Sequence, residues 1–240
     1  MGSEAVLFRR IEKKFMLSTD QYEALLPLLE GHMVEDKFAH SKICNIYYDT
    51  PSFLLIRRSI DKPLYKEKLR VRSYGVPGEG DQVFVEIKKK FDGVVYKRRI
   101  TMTCGEAERY LSGEAPAPEP CQISREIDYF VSRYEGLRPG MYISYDRYSL
   151  ASPEGGLVRI TFDSNITWRT GDLLLGSGSY GEQLLPPGKI LMEVKIPGAY
   201  PLWLVDIFEQ LQIRQGRFSK YGEIFKTALR EGKISITGGP

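Results

Sequence analysis

The sequence predicts an α+β protein whose antiparallel strands carry charge on one face and apolar residues on the other. Gln82 to Ile100, QVFVEIKKKFDGVVYKRRI, reads as strand, two-residue Asp92-Gly93 turn, strand. Side chains switch faces at each residue of a strand. Val83, Val85 and Ile87 therefore oppose Glu86, Lys88 and Lys90, and Lys97 and Arg99 alternate with Tyr96, Arg98 and Ile100. The same alternation returns along the chain, and stretches with helical apolar spacing stand between the strands to cover their apolar faces.

Val6 to Met16 is the first predicted strand, with Arg10, Glu12 and Lys14 on one face opposite Ile11 and Phe15. Ser18-Thr19-Asp20 supplies capping residues for a helix through Tyr22, Leu25, Leu26 and Leu29, which Pro27 shortens or kinks. Lys42 to Asp49 is β-prone, and Asp49 to Ser52 is a turn or the cap of a short helical segment through Arg58. Tyr65 to Tyr74 places Lys68, Arg70 and Arg72 together, opposite Leu69 and Val71. Thr103 to Leu111 and Ser124 to Tyr134 read as helices. Between them, GEAPAPEP is a proline-rich surface connection, so residues 1–240 are expected to form a single domain. Met141 to Ala151 carries Arg147. Leu157 to Asp163 groups Arg159, Thr161 and Asp163, and Ile190 to Ile196 groups Glu193 and Lys195. Leu173 to Gly188 is a glycine-rich loop, and two amphipathic helices follow Pro201 and Ser219.

The 240 residues hold one large domain or two small ones, and 42% apolar with 27% charged residues is an ordinary globular balance. A net charge of +3 is mild, so clustering of the cations matters more than their sum. No stretch approaches the roughly 20 apolar residues of a membrane span, and the N-terminus lacks the apolar core of a signal peptide. Cys44, Cys104 and Cys121 form no CxxC pair, which fits a reducing, cytoplasmic compartment. With His32 and His40 as the only histidines, a histidine-rich metal site is excluded and a Ser-His-Asp triad disfavoured.

Alternation alone leaves two arrangements open. The charged faces lie outward on flat sheets, or they converge inside a closed barrel. Cations of one sign dominate Lys68-Arg70-Arg72, Lys88-Lys90 and Lys97-Arg99, whereas a plain solvated face mixes signs. Converging cations need water, metal and a polyanion to offset desolvation. Phosphate chains suit Arg forks and Lys ammonium groups, and a few carboxylates suit Mg²⁺ or Mn²⁺.

Several motifs in one order resemble the VTC domain, the catalytic module of polyphosphate polymerase within the triphosphate tunnel metalloenzyme (CYTH-like) superfamily. They are RIEKKF at 10–15, KLRVRSYG at 68–75, FVEIKKK at 84–90, VYKRR at 95–99, YDRYSL at 145–150, VRITFD at 158–163, MEVKIPG at 192–198 and RFSKYG at 217–222. The resemblance implies a closed antiparallel barrel of about eight strands, forming a charged tunnel flanked by helices. It implies phosphate-binding and catalytic roles for Arg70, Arg72, Lys88, Lys97 and Lys220, and nucleotide or chain contacts for Lys14, Lys90, Arg147, Arg159 and Arg10. Mn²⁺ or Mg²⁺ would sit on Glu193, with Glu12 or Glu86. The implied activity moves the ATP γ-phosphate onto inorganic polyphosphate. The alternatives are hydrolysis of inorganic or nucleoside triphosphates and non-catalytic polyphosphate binding. Hydrolytic members of the superfamily carry Glu-x-Glu-x-Lys on the first strand. Here it is Arg10-Ile-Glu12-Lys-Lys14, which removes one acidic ligand and disfavours hydrolysis. Nucleic acid is not expected as a partner, since Tyr74, Tyr96 and Tyr148 are read as packed aromatics. Any attachment to a membrane would come through a partner protein. Glu12 is equally readable as a salt-bridge partner, Lys195 and Lys68 read as structural or surface charges rather than catalytic ones, and Asp163 as the group that orients Arg159.

Overall fold

The computed structural model describes residues 10–92, 94–153 and 157–236. Residues 6–9 of the first predicted strand, Gly93 of the central turn and the side chain of Arg10 lie outside the described residues. The chain divides into two compact units, 1–41 with 146–165 and 185–218, and 42–145 with 166–184 and 219–240.

In the first unit, β1 (Arg10–Ser18) runs antiparallel to β9 (Lys189–Pro197). Strand β9 in turn pairs with the start of β7 (Arg159–Arg169). The short β10 (Gln215–Gly216) lies on the other side of β1. Helix α1 (Thr19–Leu29) starts in a reciprocal cap. The Ser18 hydroxyl accepts from the Gln21 N–H, and the Gln21 side chain accepts from the Ser18 N–H. The helix stops two residues after Pro27, which cannot donate to its ladder. Helix α5 (Leu202–Gln210) follows Pro201. The core of this unit joins Phe15 and Leu17, Leu25 and Leu29, Ile160 and Phe162, Met192 and Val194, and Leu204 and Phe208. These are the apolar halves of the alternating strands and the apolar stripes of the helices.

The second unit contains the end of β2 (Val34–Asp49), then β3 (Tyr65–Tyr74), β4 (Gln82–Phe91) and β5 (Val94–Thr103) in antiparallel register. Phe91 pairs with Val94, so the β4–β5 turn has the two residues predicted, and Asp92 takes the positive φ (42°) that such turns use. Helices α3 (Cys104–Ser112) and α4 (Gln122–Arg133) pack an apolar cluster of Val83, Val85, Ile87, Leu69, Tyr110, Ile127 and Phe130. Strand β6 (Arg138–Ala151) and the end of β7, with β8 (Glu182–Gln183), extend this unit, and α6 (Lys220–Arg230) ends it. Arg169 orders the glycine-rich loop by donating to the carbonyls of Asp172, Leu174, Gly178 and Tyr180.

The short helix α2 (Leu54–Ile60) shows how a buried charge can nucleate structure. Asp49 is fully buried and accepts from the N–H groups of Thr50, Leu55 and Ile56 and from the Tyr221 hydroxyl, at 2.8–3.0 Å. Burial outweighs these donors and leaves its carboxyl raised. Asp49→Ala removes a helix cap and leaves these donors unpaired, so a loss of about 2–4 kcal/mol is expected in urea unfolding.

The strand order is β10-β1-β9-β7-β6-β2-β3-β4-β5, with β8 beside β7. Among the described residues its ends, β10 and β5, do not pair, so the sheet is open, with ten strands described. The closed barrel of about eight strands expected from the resemblance is not formed. Alternation fixes which face is charged. Closure demands in addition that the first and last strands meet at a matched tilt and stagger, which no local pattern encodes. Strand β2 also begins at Val34, eight residues before the β-prone stretch, because Val34–Ser41 carries no alternation to announce it. Tyr74 and Tyr96 are more than half exposed, and the Tyr74 ring meets Phe84 edge-on.

Candidate anion-binding sites

In the second unit the charged face forms cross-strand rows. Register places Lys68, Lys88 and Lys97 directly opposite one another on β3, β4 and β5. The next row is Arg70, Glu86 and Arg99, and Lys66 faces Lys90 on the other side. Like charges directly opposite on a sheet repel. Burial together with Lys90, Lys88 and Lys62 pushes the Lys66 ammonium below its usual range.

Glu86 anchors these cations. It is 1% exposed. Its Oε2 accepts from Arg70 Nε at 2.7 Å and lies 2.6 Å from Nη2, and its Oε1 lies 2.6 Å from Lys97 Nζ. Burial alone would raise its carboxyl. Arg70, Arg72 and Lys97 instead hold it down at about 2. Burial pushes Lys97 downward, with Arg70 and Arg72 adding to it, against the opposing pull of Glu86. The third corner of Arg70, Nη1, donates to the Tyr47 hydroxyl at 3.1 Å.

Arg72 differs. It is 8% exposed, and it donates to neutral groups: Asn45 Oδ1 at 2.9 Å and the Tyr145 hydroxyl at 3.2 Å. Asn45 is fixed in turn by donating to the Ile143 carbonyl. Lys220, in the first turn of α6, lies 4.4 Å above the Tyr145 ring. Thus Arg70, Arg72, Lys97 and Lys220 are gathered with Glu86 by three strands and a helix, while Lys88 and Lys90 continue the same face along β4.

The first unit carries a face of mixed sign. Glu12 and Lys14 of β1 lie opposite Lys195 and Glu193 of β9, and these lie opposite Arg159 and Thr161 of β7. Lys14 Nζ is 3.6 Å from both Glu12 Oε1 and Glu193 Oε2, and Lys195 Nζ is 2.9 Å from Glu193 Oε1. Arg159 binds Asp36. Arg147 makes two parallel bonds, 2.7 and 2.8 Å, to the fully buried Asp163. Asp163 therefore orients Arg147 and not Arg159 as expected. Thr161 Oγ1 is buried beside Glu193 with no hydrogen-bond partner among the described residues.

A divalent cation fits this second face better than the first. Among the described residues no three acidic, cysteine or histidine side chains cluster as a metal cage. Mg²⁺, however, is held by one or two carboxylates with water and phosphate oxygens completing its shell. Glu12 and Glu193 offer that pair, and the orphaned Thr161 hydroxyl adds an oxygen beside it. Glu86 has both oxygens held at 2.6–2.7 Å by Arg70 and Lys97, whereas Lys14 stands 3.6 Å from Glu12 and Glu193 and Lys195 holds only the other Glu193 oxygen, at 2.9 Å.

Sequence reasoning named the charged residues of both faces but missed the neutral ones that hold them. Asn45 and Tyr47 alternate with the buried Cys44, Ile46 and Tyr48 on β2, and this was the signal available for them.

A family model for the VTC domain matches residues 9–228. The chain belongs to the VTC domain family. A comparison with curated protein sequences gives no match. Among solved structures, this VTC chain is similar to a candidate adenylate cyclase from Bacillus halodurans, with 16% identity and a TM-score of 0.54 over 88% of this chain and 93% of the other. It is also similar to HpAC1 from Hippeastrum, a candidate adenylyl cyclase described as having a dominant triphosphatase activity. That match has 15% identity and a TM-score of 0.51 over 94% and 97%. At such identity the likeness is one of fold. No helix of the described VTC residues is long and apolar enough to cross a membrane.

Proposed function

We propose that this VTC chain, acting as one domain, is a metal-dependent polyphosphate polymerase that transfers the γ-phosphate of ATP to the end of an inorganic phosphate chain and releases ADP. The observation that carries the reading is the crowding of like charge on the face of the second unit. Lys68, Lys88 and Lys97 stand in one row, and a buried Arg72 is held by neutral partners. Holding such a face together costs free energy that a bound polyanion returns.

Arg70, Arg72, Lys88, Lys97 and Lys220 are assigned to the phosphates and to the charge that develops as the phosphoryl group moves. Positioning and charge stabilisation are most of what phosphoryl transfer requires. The chain end is already an anionic oxygen, so no strong base is needed, in keeping with the absence of histidine from β1, β3, β4, β5, β6, β7 and β9. Lys14, Lys90, Arg10, Arg147 and Arg159 are assigned to ground-state phosphate contacts. Glu193 and Glu12 would hold Mn²⁺ or Mg²⁺, which supplies charge neutralisation between phosphate oxygens when bound. Glu86 is assigned to holding Arg70 and Lys97.

Incubation of the purified protein with ATP and Mn²⁺ is expected to yield ADP and a ladder of phosphate chains on a gel. Glu193→Gln is expected to lower that rate about 100-fold or more while leaving metal-free tripolyphosphate binding within a few-fold of wild type. Absence of both ADP and a ladder would sink the reading. Triphosphate hydrolysis is the second reading, favoured by the activity attached to HpAC1. Free phosphate released without chain growth would select it. Binding without turnover in any variant would select a polyphosphate-binding module.

A further inference from the structure

Arg70 is held from two sides, and only one of them is a carboxylate. Glu86 takes Nε and Nη2, and Tyr47 on β2 takes Nη1. The Tyr47 ring is itself fixed, stacked on Tyr221 of α6 at 4.6 Å between centroids. Tyr221 donates its proton to the buried Asp49, so its own oxygen is engaged and its phenol stays protonated well above the usual range. The charged groups that face Tyr47 are Lys68, Arg70 and Arg72 of β3. Behind Arg70 stand Glu86 of β4, Lys97 of β5 and Tyr145 of β6, with Lys220 of α6 over Tyr145.

We propose that Tyr47 is a positioning residue of the anion site, and that its phenol proton is exchanged with the anion: phenolate holds Arg70 in the empty site, and a bound phosphate chain returns the phenol. The inference rests on the anion-binding reading of the same cations. Its physical basis is competition for one set of positive charges. A phenol surrounded by three cations loses its proton readily, and a phosphate chain on those cations removes the cause. Burial would raise the Tyr47 phenol. Arg70, then Lys68 and Arg72, together with the Arg70 hydrogen bond, bring it down to about 7. The sign follows. The free site is deprotonated above that value and the loaded site protonated, so binding takes up a proton and affinity falls as pH rises through 7.

The test uses the whole chain and tripolyphosphate without metal. Ultraviolet titration near the tyrosinate band should show one residue ionising at about 7 in wild type and none there in Tyr47→Phe. Calorimetry at pH 7.5 in buffers of different ionisation enthalpy should show about one more proton taken up by wild type than by Tyr47→Phe. Between pH 6.5 and 8.5 the affinity of wild type should fall roughly 20-fold more than that of the variant, a difference that cancels the titration of the ligand itself. Coincident ultraviolet curves, or equal proton uptake by the two proteins, would overturn the proposal. If neither protein binds tripolyphosphate although the tyrosinate step is present, the anion-site reading fails and the linkage with it.

Discussion

Replacing Glu86 by alanine is expected to cost about 3–5 kcal/mol of stability, the usual penalty for removing one partner of a buried ion pair. The carboxylate is 1% exposed and is shared by Arg70 and Lys97. Without it two cations stand at the base of a face already crowded with lysines. The same interaction has an acid signature. A carboxyl held at about 2, below its ordinary 4.5, adds stability that is present above 4.5 and is lost as pH falls towards 2. That contribution is about 3 kcal/mol. Chemical denaturation between pH 5 and 2 should show it in wild type and not in Glu86→Ala. Equal acid profiles would mean that the pair is solvated.

Arg72→Met is expected to do the opposite: leave the melting temperature unchanged or raised, and weaken tripolyphosphate binding about 100-fold or more. Removing a buried ion also removes its desolvation cost, and the gain is set against the loss of one of the cations that hold the Glu86 carboxyl down. Asn45 and Tyr145 lose a donor, which offsets part of the gain. Loss of one charge-assisted contact to a phosphate accounts for the binding effect. Thermal melts and calorimetry on the same preparation separate the two. A strongly destabilised variant that still binds would place Arg72 in the scaffold.

Much of this was legible along the chain. Lys68-Arg70-Arg72 and Glu86-Lys88-Lys90 announce charged faces because a strand alternates, and the cap before α1 reads directly from Ser18 and Gln21. What stayed hidden depends on partners far apart in sequence. That Glu86 serves Arg70 and Lys97, that Asp163 takes Arg147 while Arg159 goes to Asp36, and that Arg72 rests on Asn45 and Tyr145 are matters of register. A shift of one residue in a pairing would reassign the partners across it. Asp49 looked like a turn residue, and its hold on α2 and Tyr221 appears only once α6 is in place. The open sheet was missed for the same kind of reason, since no residue of β5 or β10 records what its outer edge meets.

That outer edge bears on solubility. The sheet order stops at β5, which presents Val94, Val95 and Tyr96 at 44–57% exposure beside Lys97, Arg98 and Arg99. Cationic residues on a terminal strand discourage a second molecule from adding itself there and extending the array. The guard is electrostatic, so whatever titrates or screens those cations weakens it. Handling the protein at high ionic strength or with excess polyanion thus trades a quieter charged face for a stickier rim.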